Sequence, residues 1–252
     1  LILIVFTGLP KISLKKLAQL AMCGALLGLH WMMFYGSIKA SNVSIGVICY
    51  SLVGVFTAIF EPAILKRKFS WTEIAFSLIT VLGLLCVFSF DSRYRYGILI
   101  GVGSAAISSI YSIFNKKYSK GIKSRTVLFY EMSAGLVIVT AIIPIYTTIF
   151  NIHQDILVIP SGSNLWWMLC HALFCTVGLY LLQIQALRSL SAFTVNLTYN
   201  LEPCYTVLMA FIFFGEAKYV NLSFYIGIIL IFTSVLLQTR RAITQIKVKQ
   251  LI

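Results

Sequence analysis

Apolar residues of this 252-residue chain occur in long runs that are separated by short polar gaps. A bilayer core of about 30 Å needs roughly 20 apolar residues at a rise of about 1.5 Å each, and most of the runs have that length. We therefore predict an all-α membrane protein in which eight runs are transmembrane spans. These runs are residues 17–38, 43–65, 74–90, 97–115, 126–150, 165–187, 194–215 and 222–238.

A ninth apolar run, Leu1 to Leu9, has no preceding Met or basic flank and ends at Pro10. A signal peptide would carry a charged start and a small-residue cleavage site, and this run has neither. We interpret the run as the end of a helix whose beginning lies outside the sequence. The chain is therefore predicted to be a fragment of a longer protein.

Basic residues lie in the gaps between runs and alternate in density from gap to gap. Of the 20 Lys and Arg residues, 16 fall in gaps on one face and four in gaps on the other. By the positive-inside rule the first face, which includes the C-terminus, is predicted to be cytoplasmic. The net charge of +13 is concentrated on that face, so we expect an anionic inner leaflet as its partner and no nucleic acid.

Composition narrows the classes of function. With 60% hydrophobic and 11% charged residues, the chain has too little polar surface for a soluble globule of this length. All six cysteines lie inside predicted runs without a CxxC pair, so we predict neither a metal site nor a cofactor. The spans carry no HExxH or GxSxG motif, which makes an intramembrane enzyme the weakest alternative. Composition alone does not separate a carrier from a channel or receptor.

A shift of 149 residues superimposes the first part of the chain on the last part. In that register Tyr50 matches Tyr199, and Lys39 matches Arg188. Five spans separate equivalent helices, so Lys39 and Arg188 are predicted on opposite faces and the second copy is inverted. The superimposed runs are 17–38 with 165–187, 43–65 with 194–215, and 74–90 with 222–238.

The inverted copies predict a ten-helix inverted-repeat (5+5) transporter bundle, with about eight full spans and part of a ninth present here. Residues 1–92 would be the remainder of the first repeat, residues 93–238 the second repeat, and residues 239–252 a basic cytoplasmic tail. Inverted repeats are typical of secondary transporters, whose sites lie near the midplane. The repeat therefore favours a carrier that works by alternating access. The oligomeric state stays open, with a homodimer as one option.

Several short motifs in this chain resemble those of the EamA-type branch of the drug/metabolite transporter superfamily. The resemblance implies a ten-helix inner-membrane carrier of small metabolites, often an exporter. The motifs are Asn200-Leu201-Glu202-Pro203-Cys204-Tyr205, Phe214-Gly215-Glu216, Phe60-Glu61-Pro62 leading into Lys66-Arg67-Lys68, Asn115-Lys116-Lys117, and Phe129-Tyr130-Glu131-Met132.

Glu202 is the acidic residue placed nearest the middle of a predicted span. Charged groups at that depth are costly and often functional. Pro203 frees the carbonyl of Tyr199, and Asn196 and Asn200 lie within about a turn, so the segment forms a polar notch. We predict that Glu202 meets a cationic or zwitterionic substrate or exchanges a proton. The alternative is a neutral or paired carboxyl group that only fixes the bundle.

The remaining acidic and basic residues refine this prediction. Glu61 and Glu131 lie four or five residues from the cytoplasmic ends of their runs, where we expect both to reach interfacial water or neighbouring lysines. No basic residue lies at the depth of Glu202 in this sequence. Because desolvated phosphates need Lys or Arg partners, the chain is not expected to carry phosphorylated substrates.

Further substrate-binding candidates are aromatic, amide or imidazole side chains on predicted spans. For His30 the alternative is a satisfied structural histidine, and for Tyr50, Tyr111 and Asn115 it is a hydrogen bond between helices. His30, Trp31, Tyr35, Tyr180 and Gln183 are candidates by their place on aligned runs, whereas Tyr50, Tyr111 and Asn115 are implied by the resemblance, since their helices correspond to cavity-forming ones.

Overall fold

A computed structural model describes most of the chain, and within the described residues every regular element is a helix. The described residues are 12–41, 43–87, 95–149, 162–199, 202, 205, 209 and 222–250. The helices are α1 (Leu14–Ala40), α2 (Val43–Ser51), α3 (Val53–Leu65), α4 (Trp71–Val87), α5 (Arg95–Tyr118), α6 (Ser124–Ile149), α7 (Ser163–Cys170), α8 (Leu179–Ser189), α9 (Ala192–Thr198) and α10 (Leu222–Gln250), with a π-helix (His171–Gly178) between α7 and α8.

Five helical stretches in the described part of the chain are long and apolar enough to cross a membrane. The prediction of an all-helical membrane protein is thus confirmed, while the ten-helix count stays a prediction. The ninth run, Leu1 to Leu9, lies outside the described residues. The five stretches are Leu14–Ala40, Ile45–Leu65, Arg95–Tyr118, Ser124–Thr148 and Ser163–Ser189, and two shorter apolar ones are Trp71–Gly83 and Tyr225–Ser234.

Two predicted runs are not single regular α-helices. The run 43–65 is interrupted at Leu52, where the Ser51 hydroxyl donates to the carbonyl of Ile48 at 2.7 Å. Such a bond competes with the helical ladder and bends helices. The run 165–187 contains the π-helix, which hydrophobic periodicity does not predict because a π-turn leaves the apolar composition unchanged.

The described residues form two compact units, each of which takes segments from both predicted repeats. The first unit lies within Leu1–Leu29 and Phe114–Ser189. Its core is a cluster of Leu20, Val127, Leu128 and Ile184. The division at residues 92 and 93 stays a prediction.

In the first unit α1 and α6 approach closely at glycines. A Cβ on Gly24 would overlap the backbone carbonyl of Glu131, and one on Gly28 would lie 3.0 Å from the carbonyl oxygen of Gly135. Small residues four apart allow membrane helices to pack backbone to backbone, as Gly24 and Gly28 do here.

The second unit lies within His30–Ile113 and Leu190–Ile252. In it α4 packs along α10. A Cβ added to Gly83 would lie only 2.7 Å from the Gly227 carbonyl oxygen, so the two helix backbones approach closely there. The Thr80 and Ser234 hydroxyls lie 2.9 Å apart across the same helix pair. Helix α9 packs against α3, and this contact positions the candidate site described next.

Candidate functional site

Four aromatic rings from three helical segments of the second unit form a continuous cluster. The rings of His30 and Tyr50 stack with centroids 5.1 Å apart. Phe34 packs edge-on against Tyr50 at 5.6 Å, and Tyr199 lies 5.5 Å from Tyr50 on the other side. We call these four residues the aromatic cluster. Tyr50 is its hub, since each of the other three rings contacts it.

Serines on α5 fix the polar atoms of this cluster. The Ser104 hydroxyl donates to the backbone carbonyl of His30 at 3.0 Å, so its proton is committed there. His30 Nδ1, 2.8 Å from Ser104 Oγ and 3.2 Å from the Ser104 carbonyl oxygen, must then be the donor. The neutral imidazole is left with Nε2 as an acceptor. The Tyr50 hydroxyl lies 3.2 Å from Ser108 Oγ.

Glu202 is half-buried and lies close enough to Tyr50 for an electrostatic interaction between the two side chains. The structure therefore brings four of the sequence-predicted candidates, Glu202, Tyr50, Tyr199 and His30, into one region. Asn200 lies outside the described residues.

Asn196 is fully buried and joins three helices. Its Nδ2 donates to Thr57 Oγ1 on α3 at 2.8 Å, and its Oδ1 accepts from Ser112 Oγ on α5 at 2.9 Å. The Thr57 hydroxyl lies 2.9 Å from Ser109 Oγ and 2.6 Å from the Val53 carbonyl oxygen. Both ends of the Asn196 amide are thus bound to protein groups that hold α9 in place.

The other candidates divide between the two units. In the second unit Tyr111 is 1% exposed and Trp31 half-buried, whereas Tyr35 is 58% exposed and packs edge-on against Phe34 with ring centroids 5.5 Å apart. In the first unit Tyr180 packs on the core cluster, and Gln183 is buried, with no hydrogen-bond partner for its Oε1 in the described part of the chain.

Asn115, a candidate in the first unit, binds Glu131. Its Nδ2 lies 2.9 and 3.0 Å from the two carboxylate oxygens, and both side chains are fully buried. Glu131 therefore does not reach interfacial water, while the other part of the expectation, a contact with the neighbouring lysines, stays a prediction. Glu61 is also buried from water, although it does pair with a basic neighbour, Arg67, at 3.3 Å. The depth of a residue in a span predicts neither the contact of Glu131 with Asn115 nor that of Glu61 with Arg67.

Sequence reasoning missed Phe34, Ser104 and Ser108. A signal for Phe34 exists, because it lies four residues after His30 and therefore on the same helix face. Ser104 and Ser108 are likewise four residues apart and face the cluster together. The contacts of Ser104 with His30 and of Ser108 with Tyr50 form only where α5 packs against α1 and α2, so they cannot be predicted from the serines alone.

Known proteins share this sequence pattern and fold. Residues 1–89 and 95–240 match the EamA-like transporter family. An "Uncharacterized transporter" from Clostridium kluyveri is 23% identical over 235 residues, which cover 88% of this chain and 71% of the relative. The "Uncharacterized transporter YxxF" from Bacillus subtilis is 23% identical over 232 residues, which cover 90% and 71%.

The fold also has a counterpart among solved structures. A crystal structure of a protein that is 15% identical superimposes with a TM-score of 0.62 over 91% of this chain and 88% of the other. This similarity supports a shared fold. Since the family match spans nearly all of the sequence, the resemblance carried by the motifs is confirmed: this chain, a multi-pass membrane protein, belongs to the EamA-like transporter family.

Proposed function

We propose that this protein is a secondary transporter that exports small neutral, zwitterionic or cationic metabolites by alternating access. The observation that carries the proposal is the aromatic cluster with Glu202 beside it. Ring faces attract cations by about 0.5–2 kcal/mol each, and a carboxylate adds direct charge attraction. A substrate with an ammonium group and an apolar body meets both requirements.

The contact between Tyr50 and Tyr199 supports a site on the inverted-repeat axis. These two tyrosines are equivalent in the 149-residue repeat, and their rings lie 5.5 Å apart. Residues near a two-fold axis contact their own equivalents, whereas residues far from it do not. We infer that the pseudo-axis passes close to this pair, where transporters of this kind place their substrate.

The candidate residues then divide by role. Glu202 and the rings of Tyr50, Tyr199 and His30 would contact substrate. Asn196 would position α9, because both ends of its amide are already bound to protein groups. In the second unit Tyr111 and Trp31 are kept as lining candidates and Tyr35 is the weakest of the set, while Asn115, Tyr180, Gln183 and Asn200 stay predictions from the sequence.

We place the protein in the inner membrane with a cytoplasmic C-terminus. The proposal rests on the 16 to four distribution of basic residues between the two faces. An anionic inner leaflet would attract the richer face.

The test measures counterflow of labelled solutes in liposomes that contain the purified protein. Three compounds are compared, which share one aryl-alkyl group and carry an amine, an amino acid or a carboxylate. We expect saturable counterflow of the amine and the amino acid, and none of the carboxylate. Tyr50→Leu should abolish it, whereas Tyr96→Leu, which alters an exposed tyrosine outside the aromatic cluster and outside the binding candidates, should leave it unchanged. Saturation without counterflow would instead favour a channel, and preference for the carboxylate would contradict the assignment of Glu202.

A further inference from the structure

The first turn of α9 is capped by a side chain from another helix. The backbone N–H groups of Ala192 and Phe193 donate to Glu61 Oε1 and Oε2 at 3.2 and 2.9 Å. The next N–H, that of Thr194, donates to Ser191 Oγ at 2.9 Å. The first N–H groups of a helix have no partner within it, and in an apolar setting an unpaired one is costly. Two of these groups in α9 depend on one carboxylate of α3.

Arg67 holds Glu61 in place, because the chain turns back sharply after the end of α3 and brings Arg67 next to Glu61. Lys66 ends α3 in the left-handed conformation with φ of 52°, and the Arg67 N–H then bonds back to the Pro62 carbonyl at 3.1 Å. The reversal brings Arg67 Nη2 within 3.3 Å of Glu61 Oε2. That same oxygen accepts the Phe193 N–H, so cap and ion pair share one atom.

Arg67 is also bound to a second carboxylate. Its Nη2 lies 3.0 Å from Glu73 Oε2 on α4. Arg67 is 32% exposed, whereas Glu61 is 1% exposed, so the guanidinium connects a buried carboxylate to the edge of the helical bundle. Hydrogen bonds to a charged acceptor are about twice as strong as those to a neutral one, so a carboxylate held by a guanidinium is a strong cap for these two N–H groups.

Helix α9 leads directly through Tyr199 to Glu202, two of the residues proposed to contact substrate. A helix of seven residues makes few hydrogen bonds of its own, so its place depends on its anchors. We propose that Glu61 and Arg67 are positioning residues for transport: Glu61 fixes the start of α9, and Arg67 holds the Glu61 carboxylate in the orientation that does so. This role rests on the transport function proposed above.

Hydrogen–deuterium exchange of the segment 190–199 tests the positioning role without any transport measurement. Glu61→Gln keeps one acceptor oxygen but replaces the other with an amide donor, so one of the two N–H groups loses its partner. Loss of one charge-assisted bond should make exchange at Ala192 or Phe193 about tenfold faster. Glu73→Gln is the matched control, since it removes the other carboxylate of Arg67 and leaves the cap intact. Exchange in that control should stay within about twofold of wild type.

Transport kinetics give the second readout. Arg67→Gln and Glu61→Gln should raise KM for the aryl-alkyl amine about three- to tenfold while Arg67→Lys restores most of it. Arg67→Gln, at a partly exposed position, stands in if Glu61→Gln does not fold. Equal exchange in Glu61→Gln and Glu73→Gln, or in Arg67→Gln and wild type, would overturn the proposal. If exchange changes as expected but neither the wild type nor any variant transports the amine, the proposed transport function is wrong, whereas the role of Glu61 as the cap of α9 is supported.

Discussion

Gly24→Ala adds a single methyl group where α1 crosses α6 in the first unit. The new Cβ would lie 2.8 Å from the Glu131 Cα and carbonyl carbon, and closer still to the carbonyl oxygen. Ordinary contact begins at 3.4 Å, and a backbone cannot rotate away as a side chain can. The two helices must therefore separate by more than half an ångström at this point, which also disturbs the packing of Gly28 against Gly135.

The magnitude follows from two opposing terms. Ala is favoured over Gly in a helix by about 1 kcal/mol. Overpacking costs about 1–3 kcal/mol, and we take the upper end because backbone is displaced on both sides. The net loss is about 2 kcal/mol, which lowers the melting temperature by about 4–8 °C for a chain of this size.

The assay is thermal unfolding of the detergent-solubilised protein, followed by tryptophan fluorescence. Gly103→Ala is the matched control, because its Cβ would meet only the terminal methyl of Met33 at 2.6 Å, and that flexible side chain can move. The control should melt at the wild-type temperature or slightly above it. If Gly24→Ala also melted within about 1 °C of wild type, the close approach of α1 and α6 would be refuted.

Two further changes test the buried polar contacts. Asn196→Leu removes the hydrogen bonds to Thr57 and Ser112, each worth about 0.6–1.7 kcal/mol in a membrane protein, so we expect a loss of about 1–3 kcal/mol in the free energy of unfolding. Denaturant titration checks this value, and an unchanged midpoint would contradict the network. In the wild type Asn115 Nδ2 donates to both carboxylate oxygens of Glu131, and Glu131→Gln replaces one of these acceptors with an amide donor. Its melting temperature should fall below that of wild type, and a rise would show that the carboxylate is not needed there.

Periodicity and charge in the sequence predict much of the fold. Runs such as 17–38 and 126–150 lie within α1 and α6 to a few residues, because a bilayer imposes length and apolarity on any helix that crosses it. The repeat register also pairs Tyr50 with Tyr199, which then meet in space. Local regularity is less predictable, as the break at Leu52 and the π-helix both occur inside runs that hydrophobic periodicity treats as single helices.

The site is only partly predictable because its contacts join distant segments. Depth in a span indicates that Glu202 is unusual, but it places Glu61 at the interface, whereas its partners Ala192 and Phe193 are 131 and 132 residues away. A side chain's burial depends on which helix covers it, and no local pattern around Glu61 encodes α9. For the same reason Tyr35 looks equivalent to Tyr50 in sequence, yet the Tyr50 ring contacts three rings of the cluster, whereas Tyr35 is 58% exposed and reaches the cluster at its edge, through Phe34.

The central claim is that a carboxylate beside the aromatic cluster recognises the charge of the substrate. The most direct measurement compares counterflow of the aryl-alkyl amine and its uncharged alcohol analogue by wild type and Glu202→Gln in the same liposomes. Loss of counterflow for the amine, with counterflow of the alcohol retained, is the result we expect. Equal transport of the amine by both proteins, at every pH tested, would contradict the account.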